Sequence, residues 1–251
     1  MSNNIFRRIE KKYIITQEQY ERIKELLLLY TVEDKYGKSK ICNLYFDSDD
    51  YCLIRNSITK PVYKDKVRLR SYNTPTGNSN VYLEIKKKYK KVVGKRRIEM
   101  KLNDFYRYLE DKDSIKIENE QIKREIDYYF EFYKLKSKMY ISYDREAYYE
   151  TGNKDFRVTF DSNITARRKK LDLAKGSFGE KILDEDKYIM EIKTLGVIPM
   201  WLVKIISDYK LQPGGFSKYG VAYEKLVLGG RKEAKVKQKI EIAEQNELAT
   251  V

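Results

Sequence analysis

Apolar and polar positions along the chain follow two rhythms, one repeating every two residues and one every three to four. In VYKDKVRLRSY, Val62 to Tyr72, the cations Lys64, Lys66, Arg68 and Arg70 occupy every second position, with Val67 and Leu69 between them. A strand puts all four cations on one face, whereas a helix would scatter them. Neighbours on that face are ~7 Å apart and repel by roughly 2 kcal/mol at an effective dielectric of about 20. Such a row calls for an anionic partner. A solvated edge strand guarded by lysines is the alternative reading.

The same alternation recurs. Phe6 to Ile15 carries Arg8, Glu10 and Lys12 on one face against Ile9, Tyr13 and Ile15. Lys40 to Ser48 reads as a strand, followed by a turn or short helix around Asp49 to Ser57. Val81 to Tyr89 places Tyr82, Glu84, Lys86 and Lys88 together, and Val92 to Lys101 does so for Lys95, Arg97 and Glu99. Lys138 to Tyr149 pairs Tyr143 with Arg145, and Phe156 to Arg168 groups Arg157, Thr159 and Asp161. Lys187 to Gly196 sets Glu191 and Lys193 against Met190 and Ile192.

Helical spacing marks the rest. Thr16 with Gln19 forms a capping box ahead of Gln17 to Tyr30, whose Tyr20, Ile23, Leu26, Leu27 and Tyr30 make a stripe. Helices are expected near Asn103 to Asp111 and Glu118 to Leu135, their stripes belonging to the core. Pro199 opens another, where a proline loses no hydrogen bond, and Ser217 caps a last one from Lys218.

Charge narrows the partners. The 251 residues hold 52 Lys and Arg against 38 Asp and Glu, a net charge of +14 that selects polyanions. At 41% apolar and 36% charged residues the chain is globular. It has no apolar run of membrane-spanning length and no signal-peptide core, so a soluble cytoplasmic protein is expected. Cys42 and Cys52 suggest neither a disulfide framework nor a zinc knuckle.

The chain contains no histidine, which removes Ser-His and Cys-His nucleophile pairs and imidazole metal ligands. Phosphoryl transfer fits what remains, because positioning and charge neutralisation supply most of its catalysis. The tail YGKS, Tyr36 to Ser39, is not a P-loop, since Val32 stands where the first glycine is needed.

At least six strands thus carry one apolar and one charged face. A closed antiparallel barrel of about eight strands, α+β in class with helices packed outside and a charged, water-filled interior, would unify them. An open twisted sheet with one basic face is the other solution, and periodicity does not separate the two.

The segments RRIEKKYII, YFDSDDYCLIRNS, KDKVRLRSY, VYLEIKKK with GKRR, ISYDREAY, FRVTFDSNI, YIMEIKTLGVIPMWL and GFSKYGVAY occur in order from Phe6 to Leu228. Together they resemble the VTC polyphosphate polymerase domain of the triphosphate tunnel metalloenzyme superfamily. The resemblance implies a tunnel domain over residues 1–230, with a charged tail over 231–251. It implies ATP or another nucleoside triphosphate as donor, polyphosphate or pyrophosphate as acceptor, and Mn²⁺ or Mg²⁺ as cofactor. Residue by residue it assigns catalysis to Lys12, Arg68, Arg70, Lys86, Arg145 and Arg157, and metal binding to Glu191. Tyr143, Ser217 and Lys218 become phosphate contacts. Lys66, Lys95 and Arg97 join them, and Glu10 and Glu84 join the metal candidates, because they share the charged faces. Arg8 departs from the superfamily's ExExK order and removes one potential ligand; Gly215 stands where a basic residue can precede the Phe. The expected activity is ATP-dependent polyphosphate synthesis with ADP released. A tunnel triphosphatase using water, and a non-catalytic polyanion or RNA binder, are the alternatives; the facing glutamates disfavour nucleic acid. Oligomeric state stays open.

Overall fold

In the computed structural model the described residues are 9–59, 62–90 and 92–229. Arg8 and the charged tail expected from residue 231 lie outside them. Ten strands form one antiparallel sheet: β1 (Ile9–Thr16), β2 (Thr31–Glu33), β3 (Ser39–Asp47), β4 (Tyr63–Tyr72), β5 (Asn80–Tyr89), β6 (Val92–Lys101), β7 (Lys136–Glu150), β8 (Asn153–Arg167), β9 (Glu180–Lys181) and β10 (Lys187–Thr194). The main path runs β1-β10-β8-β7-β3-β4-β5-β6, with β2 flanking β7 and β9 flanking β8.

Among the described residues six α-helices accompany it: α1 (Gln17–Leu27), α2 (Cys52–Ile58), α3 (Leu102–Glu110), α4 (Glu120–Phe132), α5 (Met200–Asp208) and α6 (Lys218–Tyr223), the last continuing as a π-helical stretch, Glu224–Gly229. None among the described residues is long and apolar enough to cross a membrane. Helix α1 begins at the expected capping box: Thr16 Oγ1 accepts from Gln19 N at 3.2 Å, and Gln19 Oε1 accepts from Thr16 N at 3.0 Å. Thr16→Ala should therefore lower the unfolding free energy by about 1 kcal/mol, read from urea denaturation. The helix stops at Leu27 rather than Tyr30 because Thr31 already starts β2, and its hydroxyl donates to Leu27 O at 2.8 Å. Pro199 occupies the cap of α5, one place before the expected first turn.

Two of three apolar clusters sit on the face away from the cations. One packs Val67, Leu69, Leu83 and Ile98 under α3 and α4, and another packs Tyr13, Val158, Phe160 and Ile192 under α1 and α5. The third lies on the charged face. There Phe216, Tyr219 and Ala222, at and before α6, pack on Ile41, Tyr45, Ile141 and Tyr143 of β3 and β7. The expectation that all helices pack outside is corrected accordingly. Strands β3 and β7 present apolar residues on both faces, so α6 has an apolar floor on the inner side.

The class is α+β with a large antiparallel sheet, as expected, but the sheet is not closed by backbone hydrogen bonds. Among the described residues no backbone ladder joins β1 to β6, the two ends of the path. The free edge of β1 is instead met by the segment before α6, where Gly214 N donates to Lys12 O at 2.8 Å. Side chains span the remaining gap: Lys86 of β5 approaches Glu10 of β1 at 3.6 Å, and Lys66 of β4 donates to Ser217 Oγ at 2.7 Å.

Candidate functional site

Alternation along each strand, register between strands and, for Ser217 and Lys218, the start of α6 bring the fifteen residues singled out from the sequence to one cavity of about 1300 Å³. Among the described residues twelve Lys and Arg side chains face three Glu around it, so the cavity is strongly positive. Four groupings organise the charges.

The first centres on Glu84, which is 1% exposed. Register places it between Arg68 and Arg97 on the neighbouring strands. Arg68 donates from Nε and Nη2 to Oε2 at 2.9 and 2.7 Å, while Arg97 Nε at 2.9 Å and Lys95 Nζ at 2.6 Å take Oε1. Burial opposes ionisation, yet Arg68 and Lys95 hold the carboxyl well below the usual carboxylate range. Both oxygens are engaged by cations, so Glu84 acts as a pin that orients three of them.

The second centres on Glu191, paired by register with Lys12. Lys193 lies 2.9 Å, Lys12 3.5 Å and Arg145 4.0 Å from its oxygens. Burial again opposes the charge, and Lys193 and Lys12 overcome it, leaving Glu191 ionised far below the ordinary range. Lys12 also approaches Glu10 at 3.6 Å and donates to Phe216 O at 3.2 Å. Burial works to lower the Lys12 pKa, but Glu191 and Glu10 raise it overall.

Asp161 anchors the third. Arg145 binds it with two hydrogen bonds, Nε to Oδ1 at 2.6 Å and Nη2 to Oδ2 at 2.7 Å, and Lys218 reaches Oδ2 at 2.5 Å. Burial raises the Asp161 pKa, yet Arg145 and Lys218 bring it down to about 2. The Tyr143 ring lies under both cations, 4.4 Å from Lys218 Nζ and 5.2 Å from the Arg145 guanidinium. Burial disfavours its phenolate, but these two charges more than offset that and lower the hydroxyl pKa.

The fourth is a set of cations with little compensation. Among the described residues Lys66 hydrogen-bonds the neutral Ser217 hydroxyl, which in turn accepts from Gly220 N at 3.1 Å as the α6 cap. Burial, followed by the charges of Lys12, Lys86, Lys64 and Arg68, pushes its ammonium down to about 7. Arg70 and Arg157 each keep a buried Nε with no hydrogen-bond partner among the described residues, although Arg157 Nη2 lies 3.5 Å from Asp34. Burial lowers the Arg70 pKa, and its guanidinium lies 4.8 Å from the Tyr72 ring.

Asp161 and Lys193 were not among the residues singled out. Both share the inward alternation of Arg157 and Glu191: Asp161 meets Arg145 through the β7-β8 register, and Lys193 lies two places along β10 from Glu191. Tyr45 was likewise missed; its hydroxyl accepts from Arg68 Nη1 at 3.4 Å.

Among the described residues no group of three or more His, Cys, Asp or Glu gathers as a ready-made metal cage. Glu10 and Glu191 both lie within 3.6 Å of Lys12 Nζ and bring carboxylate oxygens to one spot. A hard divalent cation held by one or two carboxylates, with substrate phosphates and water completing its shell, fits this donor set.

Comparison with known proteins gives a consistent picture. The sequence profile of the VTC domain matches residues 7–227. No curated protein matches the chain. A putative adenylate cyclase from Bacillus halodurans shares the fold at TM-score 0.52 and 14% identity, over 83% of this chain and 92% of that one. Putative adenylyl cyclase HpAC1 from Hippeastrum, whose structure is described as revealing a dominant triphosphatase activity, aligns at TM-score 0.48 and 13% identity, over 85% of this chain and 94% of its own.

Proposed function

Because the chain belongs to the VTC domain family, we propose that its basic cavity is a triphosphate tunnel in which the γ-phosphoryl group of ATP is passed to a growing polyphosphate chain, with ADP released. The observation that carries this reading is the convergence of twelve cations on one cavity with carboxylates that orient them. The substrate class follows from charge and the transfer chemistry from arrangement.

In the proposed reaction the bond between Pγ and the β–γ bridging oxygen breaks, and a terminal oxygen of the acceptor chain bonds to Pγ. Arg68, set by Glu84, and Arg145, set by Asp161, present guanidiniums whose planar forks bind phosphate oxygens in pairs and never lose their charge. Arg70 and Arg157 add two further guanidinium charges to the same wall. Lys12, Lys86 and Lys218 neutralise charge along the chain, with Tyr143, Ser217, Lys66, Lys95 and Arg97 as further contacts. Mg²⁺ or Mn²⁺, held by Glu191 and Glu10, would neutralise phosphate charge when bound. A terminal phosphate is already an oxyanion and needs no general base. That suits a site whose buried carboxylates, Glu84, Glu191 and Asp161, are held by cations as weak bases.

The test is incubation of the purified protein with ATP and Mg²⁺ or Mn²⁺, with and without a pyrophosphate primer, resolving products by gel and ³¹P NMR. Chains longer than the primer, with ADP released and both lost in Lys12→Ala and Arg68→Ala, are expected. Free phosphate without chains would make water the acceptor, and absence of metal-dependent turnover would leave a polyanion binder.

A further inference from the structure

Beyond Arg70 and Arg157 the cavity changes character. A side cavity of about 160 Å³ opens there, sharing Arg70, Tyr72, Arg145 and Arg157 with the larger one. A cavity of about this size accepts a single aromatic ring. Its lining contains no lysine: Tyr36, Tyr72 and Tyr149 supply rings and Asp34 supplies a carboxylate. Arg70, Arg145 and Arg157 also line it, and Asp34 sets a hydrogen-bond acceptor among them.

The turn that carries these groups is well held. Asp34 N donates to Ala147 O at 2.8 Å, and Gly37 N donates to Asp34 O at 2.8 Å. Gly37 adopts φ +54°, a conformation that glycine takes without strain, and the turn leaves Tyr36 68% exposed beside the cavity. Asp34 is mostly buried and meets Arg157 Nη2 at 3.5 Å, so one of its neighbours belongs to the phosphate-facing set. Along β4, Tyr72 and Lys66 are six residues apart, roughly 20 Å, which is room for a nucleoside followed by its phosphates.

We propose that this side cavity is the nucleobase subsite: the base lies against Tyr36 and Tyr72 and donates an N–H to Asp34, while the triphosphate runs inward past Arg70 and Arg157. The inference rests on the triphosphate tunnel reading and gives the tunnel a direction, with the nucleoside at the tyrosine end and phosphate chain toward Lys66, Lys86 and Lys95. The class of ligand is a planar heterocycle bearing a ring or exocyclic N–H, attached to a triphosphate.

The experiment compares ATP with inorganic tripolyphosphate by calorimetry on the intact wild-type protein, Tyr36→Ala and Tyr36→Phe. Tyr36→Ala should weaken ATP binding about tenfold, the scale of one base-stacking contact, and leave tripolyphosphate unchanged. Tyr36→Phe should restore ATP affinity, because the ring and not the hydroxyl makes the contact. Unchanged ATP affinity in Tyr36→Ala, or equal weakening of both ligands, overturns the subsite alone. A wild-type protein that binds neither ligand overturns the tunnel reading, and the subsite with it.

Discussion

Glu84→Ala should lower the unfolding free energy by about 2–4 kcal/mol, because removing one member of a buried charge group leaves its partners uncompensated. Arg68, Lys95 and Arg97 would then face one another across β4, β5 and β6 with no anion between them. Their partial exposure keeps the figure below that of a fully buried pair. Urea denaturation reads the loss, and Glu84→Gln should share most of it, since the charge rather than the shape is missing. Tripolyphosphate should raise the melting temperature of the variant more than that of the wild type, by supplying the absent anion. The pH dependence has a definite sign. In the folded state the Glu84 carboxyl titrates well below its ordinary 4.5, so its contribution is complete above that pH and is lost as pH falls below it. The variant should lack this acid slope. Wild-type stability in Glu84→Ala would show that the three cations do not depend on this carboxylate.

Lys66→Met should have the opposite effect on the empty protein. The Lys66 ammonium is pushed from 10.5 down to about 7 by burial and by four neighbouring cations. A base with a lowered folded pKa destabilises the fold fully below about pH 7, and this penalty is relieved as pH rises toward 10.5. Removing the amine should therefore stabilise the unliganded protein at neutral pH by about 1–3 kcal/mol, after discounting for water in the cavity, or roughly 2–8 °C in melting temperature. Tripolyphosphate affinity should fall about tenfold, the equivalent of one charge-assisted hydrogen bond. Wild-type binding should also weaken as pH rises through 7 and should take up protons. Calorimetry in buffers of different ionisation enthalpy measures that uptake, which Lys66→Met should lack. A variant no more stable than wild type, with unchanged proton uptake, would mean that Lys66 titrates as an ordinary surface lysine.

Much of this site was readable from strand periodicity. Alternation alone put Lys66, Arg68 and Arg70 on one face and Val67 and Leu69 on the other, and the apolar stripe from Tyr20 to Leu27 fixed the packing side of α1. Which charges meet was not readable, because that depends on register between distant strands. Glu84 joined the metal candidates on alternation alone; its place opposite both Arg68 and Arg97 is a product of the β4-β5-β6 ladder. Asp161 was missed for the same reason, since Arg145 meets it across the β7-β8 ladder, whereas Lys193 shares the face of Glu191 on β10 and was legible from alternation. Closure was beyond periodicity as well, since a pattern of period two assigns faces and not edges. The inner position of α6 follows from the apolar inward residues Ile41, Tyr45 and Ile141, which interrupt the charged face but read locally as ordinary core.

The seam between β1 and β6 has a topological consequence. A ring closed all round by backbone hydrogen bonds admits a polymer only by threading from a free end. Here the circuit is completed by the Lys86–Glu10 contact, the Gly214–Lys12 hydrogen bond and the Lys66–Ser217 hydrogen bond. Those are latches rather than staves, and the Lys86–Glu10 contact is part-exposed and sensitive to salt. Parting them would let a strand of any length slip in or out sideways without its ends passing through the protein.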